Sequence, residues 1–180
     1  MQQSRVLAAT IGILLSLAGT PRGLKAQGWS HFTSTDEMTG ETQAFATSPR
    51  AAPTRPMAFP YGGVRAWLGF GCDGQDEWVY IGFTDAPNLT NSEPQSGGYS
   101  TFTARTRWDD EVRRMEMSQE WGERFLHFQS DATAIRRIEA ARSLLLELKW
   151  YGSGDVYFRF SLDGSSDAIA SARALCRASE

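Results

Sequence analysis

One cluster of charged residues has the composition that acid–base chemistry requires. Arg107, Asp109, Asp110 and Glu111 flank Trp108 at the end of a strand-like segment. A general acid and base need two carboxyl groups whose pKa values are pushed apart by burial. Three adjacent acids at a hairpin turn are more typical of a solvated loop, and an inward Arg107 holding Asp109 would explain the cluster structurally. We therefore predict a surface turn, with a cell-wall-directed hydrolase as the alternative.

A glycine-rich motif and two histidines suggest cofactor or metal chemistry but lack the necessary context. Residues Gly69 to Gly74 satisfy the G-x-G-x-x-G pattern, which binds dinucleotides only between a strand and a helix N-terminus. Here the next predicted element is a strand, so we expect the glycines to relieve crowding at a hairpin and near a disulfide. His31 and His127 have no metal-binding or catalytic spacing. No cofactor, metal or catalytic residue is predicted.

The first 26 residues have the composition of a cleavable secretory signal. Arg5 precedes a mostly apolar stretch from Val6 to Ala18, and the small residue Ala26 stands at the end of the segment that follows. A stretch of about 13 residues is too short for a bilayer, which takes about 20. Cleavage is predicted after Ala26, with the Gly19–Thr20 region as the alternative, and residues 27–180 then form a single exported domain without a transmembrane anchor.

Removal of the signal also changes the charge of the protein. The chain has 18 basic and 21 acidic residues, and the signal holds three of the basic ones and no acid. The mature part therefore has a net charge of −6. Nucleic acid is an unfavourable partner for it, because phosphate binding needs clustered positive charge.

The two cysteines are Cys72 and Cys176. In an exported protein with an even cysteine count, a disulfide is the default interpretation. It would close a loop of about 100 residues and contribute about 4 to 5 kcal/mol by the loop-entropy relation. A metal site or a catalytic cysteine is the weaker alternative, because ligands and bases are lacking nearby.

Alternation of apolar and polar residues predicts a chain dominated by antiparallel strands. Helices are indicated instead where apolar residues recur every three or four positions. Strands are expected at Trp29–Ser34, Thr42–Ser48, Val64–Cys72, Trp78–Phe83, Ser100–Trp108, Val112–Ser118, Arg124–Phe128, Leu144–Trp150 and Val156–Leu162, and helices at Asp131–Ala141 and Ser166–Arg177. The predicted fold class is α+β, a sandwich-like or strongly bent sheet with two helices, one of them C-terminal.

Two long connections and two tryptophans bear on function. Pro49–Gly63 is rich in proline and is predicted to be a surface loop, whereas Thr84–Gly98 is predicted to be mobile. A secreted inhibitor that presents the second loop to an enzyme is therefore a further alternative.

Trp67 and Trp78 have the parity opposite to the apolar residues of their strands. Their face of the sheet is either a partner surface or a second core layer covered by helices.

The order of these motifs resembles the VasI/TagO-like proteins, a family of small periplasmic proteins found with bacterial type VI secretion systems. The resemblance rests on Trp29, the Asp36–Gly40 turn, the Arg107–Asp110 segment, Phe158–Gly164 and the two cysteines. It implies pairing of Cys72 with Cys176 and an accessory or binding role in the cell envelope, and it brings no catalytic residues. The Pro-rich and Asn88-containing loops depart from the pattern of that family.

The sequence therefore predicts an exported periplasmic protein that is not an enzyme. Its expected partner is a protein or an envelope component, and the family resemblance implies association with a type VI secretion apparatus or another component of the cell envelope. The candidate binding surface comprises Trp67, Trp78, Arg107, Asp109 and Asp110.

Overall fold

β-Strands make up about half of residues 28–164, which precede the last helix. The computed structural model describes residues 28–178, so the predicted signal at 1–26 and the cleavage point lie outside the described residues. The elements are β1 (Ser30–Thr35), β2 (Thr42–Thr47), β3 (Ala66–Cys72), β4 (Glu77–Phe83), β5 (Glu93–Gln95), β6 (Tyr99–Trp108), β7 (Glu111–Glu120), β8 (Phe125–Phe128), α1 (Asp131–Ala140), β9 (Ser143–Trp150), β10 (Gly154–Ser161) and α2 (Ser165–Ala178), with a 3-10 turn at Tyr61–Gly63.

The ten strands within residues 28–178 belong to one antiparallel sheet. Their spatial order is β1-β2-β3-β4-β8-β7-β6-β9-β10, and the short β5 pairs with β6. The longest hairpin joins β6 to β7 over ten paired positions, from Tyr99 opposite Glu120 to Trp108 opposite Glu111. The predicted α+β class, mainly antiparallel and with one helix at the C-terminus, is confirmed.

The hydrophobic core lies on one side of this sheet, which we call the inner face. Alternate residues of the strands point there, and they include Leu68, Ile81 and Leu146, all fully buried. Both helices pack over this face, with Ile138 of α1 and Ile169 of α2 fully buried. The inner face is therefore the one that the helices cover.

Cys72 and Cys176 form the predicted disulfide. Cys72 ends β3 on the inner face and Cys176 lies in the last turn of α2, with their Cα atoms 6.3 Å apart. Both side chains are buried. The bond holds α2 against the end of the sheet that contains β2 and β3.

The two long connections are bound to the sheet more firmly than their composition suggests. In the first, Ala51 bridges to Ala66 of β3, and the Thr54 amide donates to the carbonyl of Tyr157 in β10. In the second, the Thr90 amide donates to the carbonyl of Lys149, and Leu89 is buried. The second connection, predicted to be mobile, is thus anchored along β9. Among the described residues no helix is long and apolar enough to cross a membrane.

Candidate binding surfaces on the outer face of the sheet

The opposite side of the sheet, the outer face, carries the tryptophans that the sequence singled out. Trp67 and Trp78 are partly exposed there, because the two described helices pack on the inner face. The alternative in which helices cover these tryptophans is therefore wrong.

Six aromatic side chains occupy outer positions of β1 to β4 and β8, and we call them the aromatic surface. They are Phe32, Phe45, Trp67, Trp78, Tyr80 and Phe125. Four of these strands are neighbours in the order β1-β2-β3-β4, and β8 follows β4. The antiparallel register therefore gathers residues that lie far apart in the sequence.

Three glycines of β3 and β4 allow the larger rings to lie against the sheet. The cross-strand pairs are Trp67 with Gly82, Tyr80 with Gly69, and Trp78 with Gly71. A Cβ atom on Gly69 would lie 2.6 Å from Tyr80 Cε2, well inside van der Waals contact, and the other two pairs are equally tight. The glycines do relieve crowding, as predicted. The crowding arises beneath outer-face rings, however, rather than beside the disulfide on the inner face.

The rings of Phe125 and Phe45 stand nearly perpendicular to the rings that lie flat on the glycines. The Phe125 ring centroid is 6.3 Å from that of Trp67 and 5.4 Å from that of Tyr80, at interplanar angles of 86° and 85°. Phe45 meets Trp78 in the same way and stacks on Phe32. Such edge-to-face pairs are the favoured aromatic geometry. They form a thin second apolar layer on the outer face.

The top of this layer is open to solvent although its base is not. Tyr80 is only 8% exposed, and burial raises the pKa of its phenol. By contrast, Phe32 is 47% exposed and Phe125 is 37% exposed. The aromatic surface therefore combines a rigid base with exposed apolar edges.

Arginine side chains border the aromatic surface beside Trp67. The Arg50 guanidinium carbon is 5.4 Å from the Trp67 ring centroid, within cation–π distance. Arg65 donates to the carbonyl oxygens of Gly63 and Val64. Neither arginine pairs with a carboxylate in residues 28–178.

The other half of the outer face is polar and charged. A cleft of about 460 Å³ opens over β6, β7 and β9. We define the arginine groove as this cleft with its continuation beside Arg107; its charged residues are Glu93, Arg105, Arg107, Arg114, Glu116, Glu147 and Lys149. Glu147 is 8% exposed and lies 3.4 Å from Arg105. Arg107 lies in this groove and is not paired with Asp109.

The acidic turn between β6 and β7 is engaged in structural contacts. Asp109 has a φ angle of 50° and accepts hydrogen bonds from the amides of Arg142 and Ser143. The bond from the Arg142 amide, with those from Ser143, lowers the pKa of Asp109. Glu111 pairs with Arg113 and Arg137, and Asp110 is exposed. The lowered pKa of Asp109 is opposite in direction to the raised pKa that a general acid requires.

The five residues predicted as one binding surface are therefore divided among three places. Trp67 and Trp78 lie in the aromatic surface, Arg107 lies in the arginine groove, and Asp109 and Asp110 lie in the turn. The sequence reasoning missed Tyr80, Phe125 and Arg50. The paired patterns W-x-G-x-G at Trp67–Gly71 and W-x-Y-x-G at Trp78–Gly82 were the available signal. Within residues 28–178 no group of three metal-ligating side chains converges.

The fold places this chain among proteins of known architecture but not in a family. It matches no protein-family profile and no curated protein sequence. It is similar to the crystal structure of invasion associated protein B from Bartonella henselae, with a TM-score of 0.51 and 14% sequence identity. The match covers 82% of this chain and 92% of that one. At this identity the likeness concerns the fold alone, and the resemblance to VasI/TagO-like proteins stays a prediction.

Proposed function

We propose that this chain is an exported, non-catalytic binding protein that docks a partner protein through the aromatic surface. The observation that carries the proposal is an aromatic layer on the outer face whose exposed edges lie beside unpaired arginines. Aromatic side chains and arginine are the residues most enriched at the energetic centres of protein interfaces. The complementary partner presents apolar side chains bordered by carboxylates.

The rigidity of the layer favours binding over an accidental exposure of apolar groups. The flat rings of Trp67, Tyr80 and Trp78 cover glycines, and Phe125 is held by two edge-to-face contacts. Ordered side chains lose little conformational entropy when a partner covers them. The exposed rings therefore form a preorganised surface.

Export is supported by the disulfide and by the N-terminal pattern. Structural disulfides persist in oxidising compartments such as the bacterial periplasm. The signal-like composition of residues 1–26 agrees with this location. Association with a type VI secretion apparatus, or with another component of the envelope, rests on the family resemblance and is part of the proposal.

Site-specific photo-crosslinking in intact cells tests the docking surface. A photoreactive amino acid at Phe125 or Phe32 should give one discrete adduct with a partner protein. The same amino acid at Tyr151, which is 63% exposed just after β9 and lines neither the aromatic surface nor the arginine groove, is the matched control and should give none. Substitution of Arg50 by Glu should reduce the adduct, because it places a negative charge opposite the carboxylates of the partner.

A measurement of binding affinity then uses the partner protein identified by that adduct. Phe125→Ser should weaken its binding by about 2 kcal/mol, the usual loss at an interface hot spot. Thermal unfolding of the variant provides the control for folding. Equal crosslinking at Phe125 and Tyr151, or no adduct at either phenylalanine, would contradict the proposal.

A further inference from the structure

We infer that the arginine groove is a second binding site, which takes an acidic sugar. It lies apart from the aromatic surface, and it is open at the fork where β5 and β9 both pair with the same edge of β6. The volume of the cleft, about 460 Å³, is within the range of small-ligand sites.

Four basic and three acidic side chains line the groove, and two of its arginines make no ion pair within residues 28–178. Arg105 and Arg114 are direct cross-strand partners, and Arg107 is two residues from Arg105 on the same face. Like charges placed opposite each other in a sheet are destabilising. Glu147 compensates Arg105, whereas Arg107 and Arg114 pair with no carboxylate among the described residues. An oxyanion bound beside Arg114 would offset the repulsion between Arg105 and Arg114.

One donor in the groove already lacks an acceptor. The Nε atom of Arg107 is buried and makes no hydrogen bond within the described residues. A buried donor without a partner costs free energy, and a carboxylate or sulfate oxygen supplies the missing acceptor. This observation concerns an individual atom and is independent of the like-charge pair.

The other side of the groove presents acceptors, which calls for a ligand that also donates hydrogen bonds. Asn91 donates through Nδ2 to the carbonyl of Thr103, and its buried Oδ1 has no partner in the described chain. Glu116 accepts the hydroxyl of Thr103 at 2.6 Å through Oε1 only. Both remaining oxygens can accept from hydroxyl groups. A sugar that carries an acidic group offers hydroxyls and an oxyanion within one ring.

A peptide fits the same groove less well. Strand addition would use the backbone of β6 that lies open between β5 and β9, but the Thr103 carbonyl is already occupied by Asn91. The lining is also mainly polar, so apolar side chains of a peptide would gain little. These features favour an acidic sugar over a peptide as the ligand of the groove.

Calorimetric titration of the mature protein at low salt tests the inference. The probes are a galacturonic acid trimer, the neutral galactose trimer, triglutamate and inorganic phosphate. We expect binding of the galacturonic acid trimer alone or in strong preference to the others. Arg114→Gln and Arg107→Gln should each weaken it about tenfold or more, as loss of a charged hydrogen bond does.

Arg136→Gln is the matched control, because it removes the same charge from an exposed position on α1 outside the groove. It should leave the affinity unchanged. Equal weakening by Arg136→Gln, or equal binding of the neutral trimer, would overturn the inference. Preference for triglutamate or phosphate would overturn it as well, since the groove would then be a peptide or simple anion site.

Discussion

The aromatic surface and the arginine groove occupy two halves of one sheet face but are held together by different forces. In the aromatic half, Trp67 and Tyr80 lie over glycines and support Phe125, so packing determines the arrangement. In the groove, Arg105 faces Arg114 and the buried Glu147, so charge determines it. The comparison shows that one continuous sheet can present an apolar surface and a charged groove without a domain boundary between them.

The tyrosines of the two halves illustrate the difference. The pKa of Tyr80 is raised because the phenol is buried among rings. The pKa of Tyr157 is raised because the phenol makes a hydrogen bond with Glu147, whose negative charge adds to the effect. Desolvation and a neighbouring charge are distinct causes of the same direction of shift. A substitution can therefore change the pKa of one tyrosine without changing that of the other.

The largest expected effect is removal of the disulfide beneath the aromatic half. The double substitution Cys72→Ala and Cys176→Ala should lower the free energy of unfolding by about 4 to 5 kcal/mol, because the bond closes a long loop. Denaturant unfolding measures the loss, and reduction of the native protein should reproduce it. Hydrogen exchange should increase in α2 and β2 before it increases in β9 and β10. Simultaneous loss of protection in both halves would contradict the predicted asymmetry.

The next effect concerns the glycines under the rings. Gly69→Ala should destabilise the protein by about 1 to 3 kcal/mol, as overpacking does, because the added methyl group displaces Tyr80. Urea unfolding measures the change in stability. Gly63→Ala is the control, since its Cβ would meet no atom within 4 Å. Equal stability of the two variants would show that the ring of Tyr80 moves aside freely.

A smaller effect is expected at the acidic turn that ends the charged half. Asp109→Ala should reduce stability at neutral pH, because the amides of Arg142 and Ser143 lose their acceptor. The native carboxyl has a lowered pKa, so its contribution is present above the unfolded pKa and is lost as pH falls below about 4. The variant should therefore show a flatter dependence of stability on acidic pH. Asp110→Ala, at the exposed neighbour, should behave like the native protein.

The smallest change in stability is expected from Glu147→Gln, whose readout is a titration. The pKa of Tyr157 should fall toward the ordinary value for a phenol, because the negative charge beside it is removed. The pKa of Tyr80 should not change, since burial raises it. Tyrosine ring signals followed by NMR against pH distinguish the two. A parallel shift of both tyrosines would show that the two halves are electrostatically coupled.

Much of the fold follows from patterns that are local in the sequence. Alternation along Leu144–Trp150 and Val156–Leu162 is a property of each segment by itself, so strands β9 and β10 were predicted within a few residues of their observed limits. The disulfide was also predictable, because the chain has two cysteines and no competing partner. Parity likewise placed Trp67 and Trp78 together on one face.

The candidate sites depended on contacts that the sequence does not state. Whether helices cover the tryptophans depends on the face to which α1 and α2 pack, and that is set by long-range burial. The pairing of Gly69 with Tyr80 depends on register, and a one-residue shift would remove it. Asp109 was predicted to lie in a solvated turn, yet its hydrogen-bond donors are more than 30 positions away.

The sequence by itself determined the class of fold, the limits of most strands, the disulfide and the parity of the tryptophans, because each depends on residue type and local period. Only the tertiary structure decided that Phe125 and Arg50 join Trp67, and that Arg107 joins Arg114 in a groove instead of pairing with Asp109. Such groupings arise from the order and register of strands. Those are settled by the packing of the whole inner face.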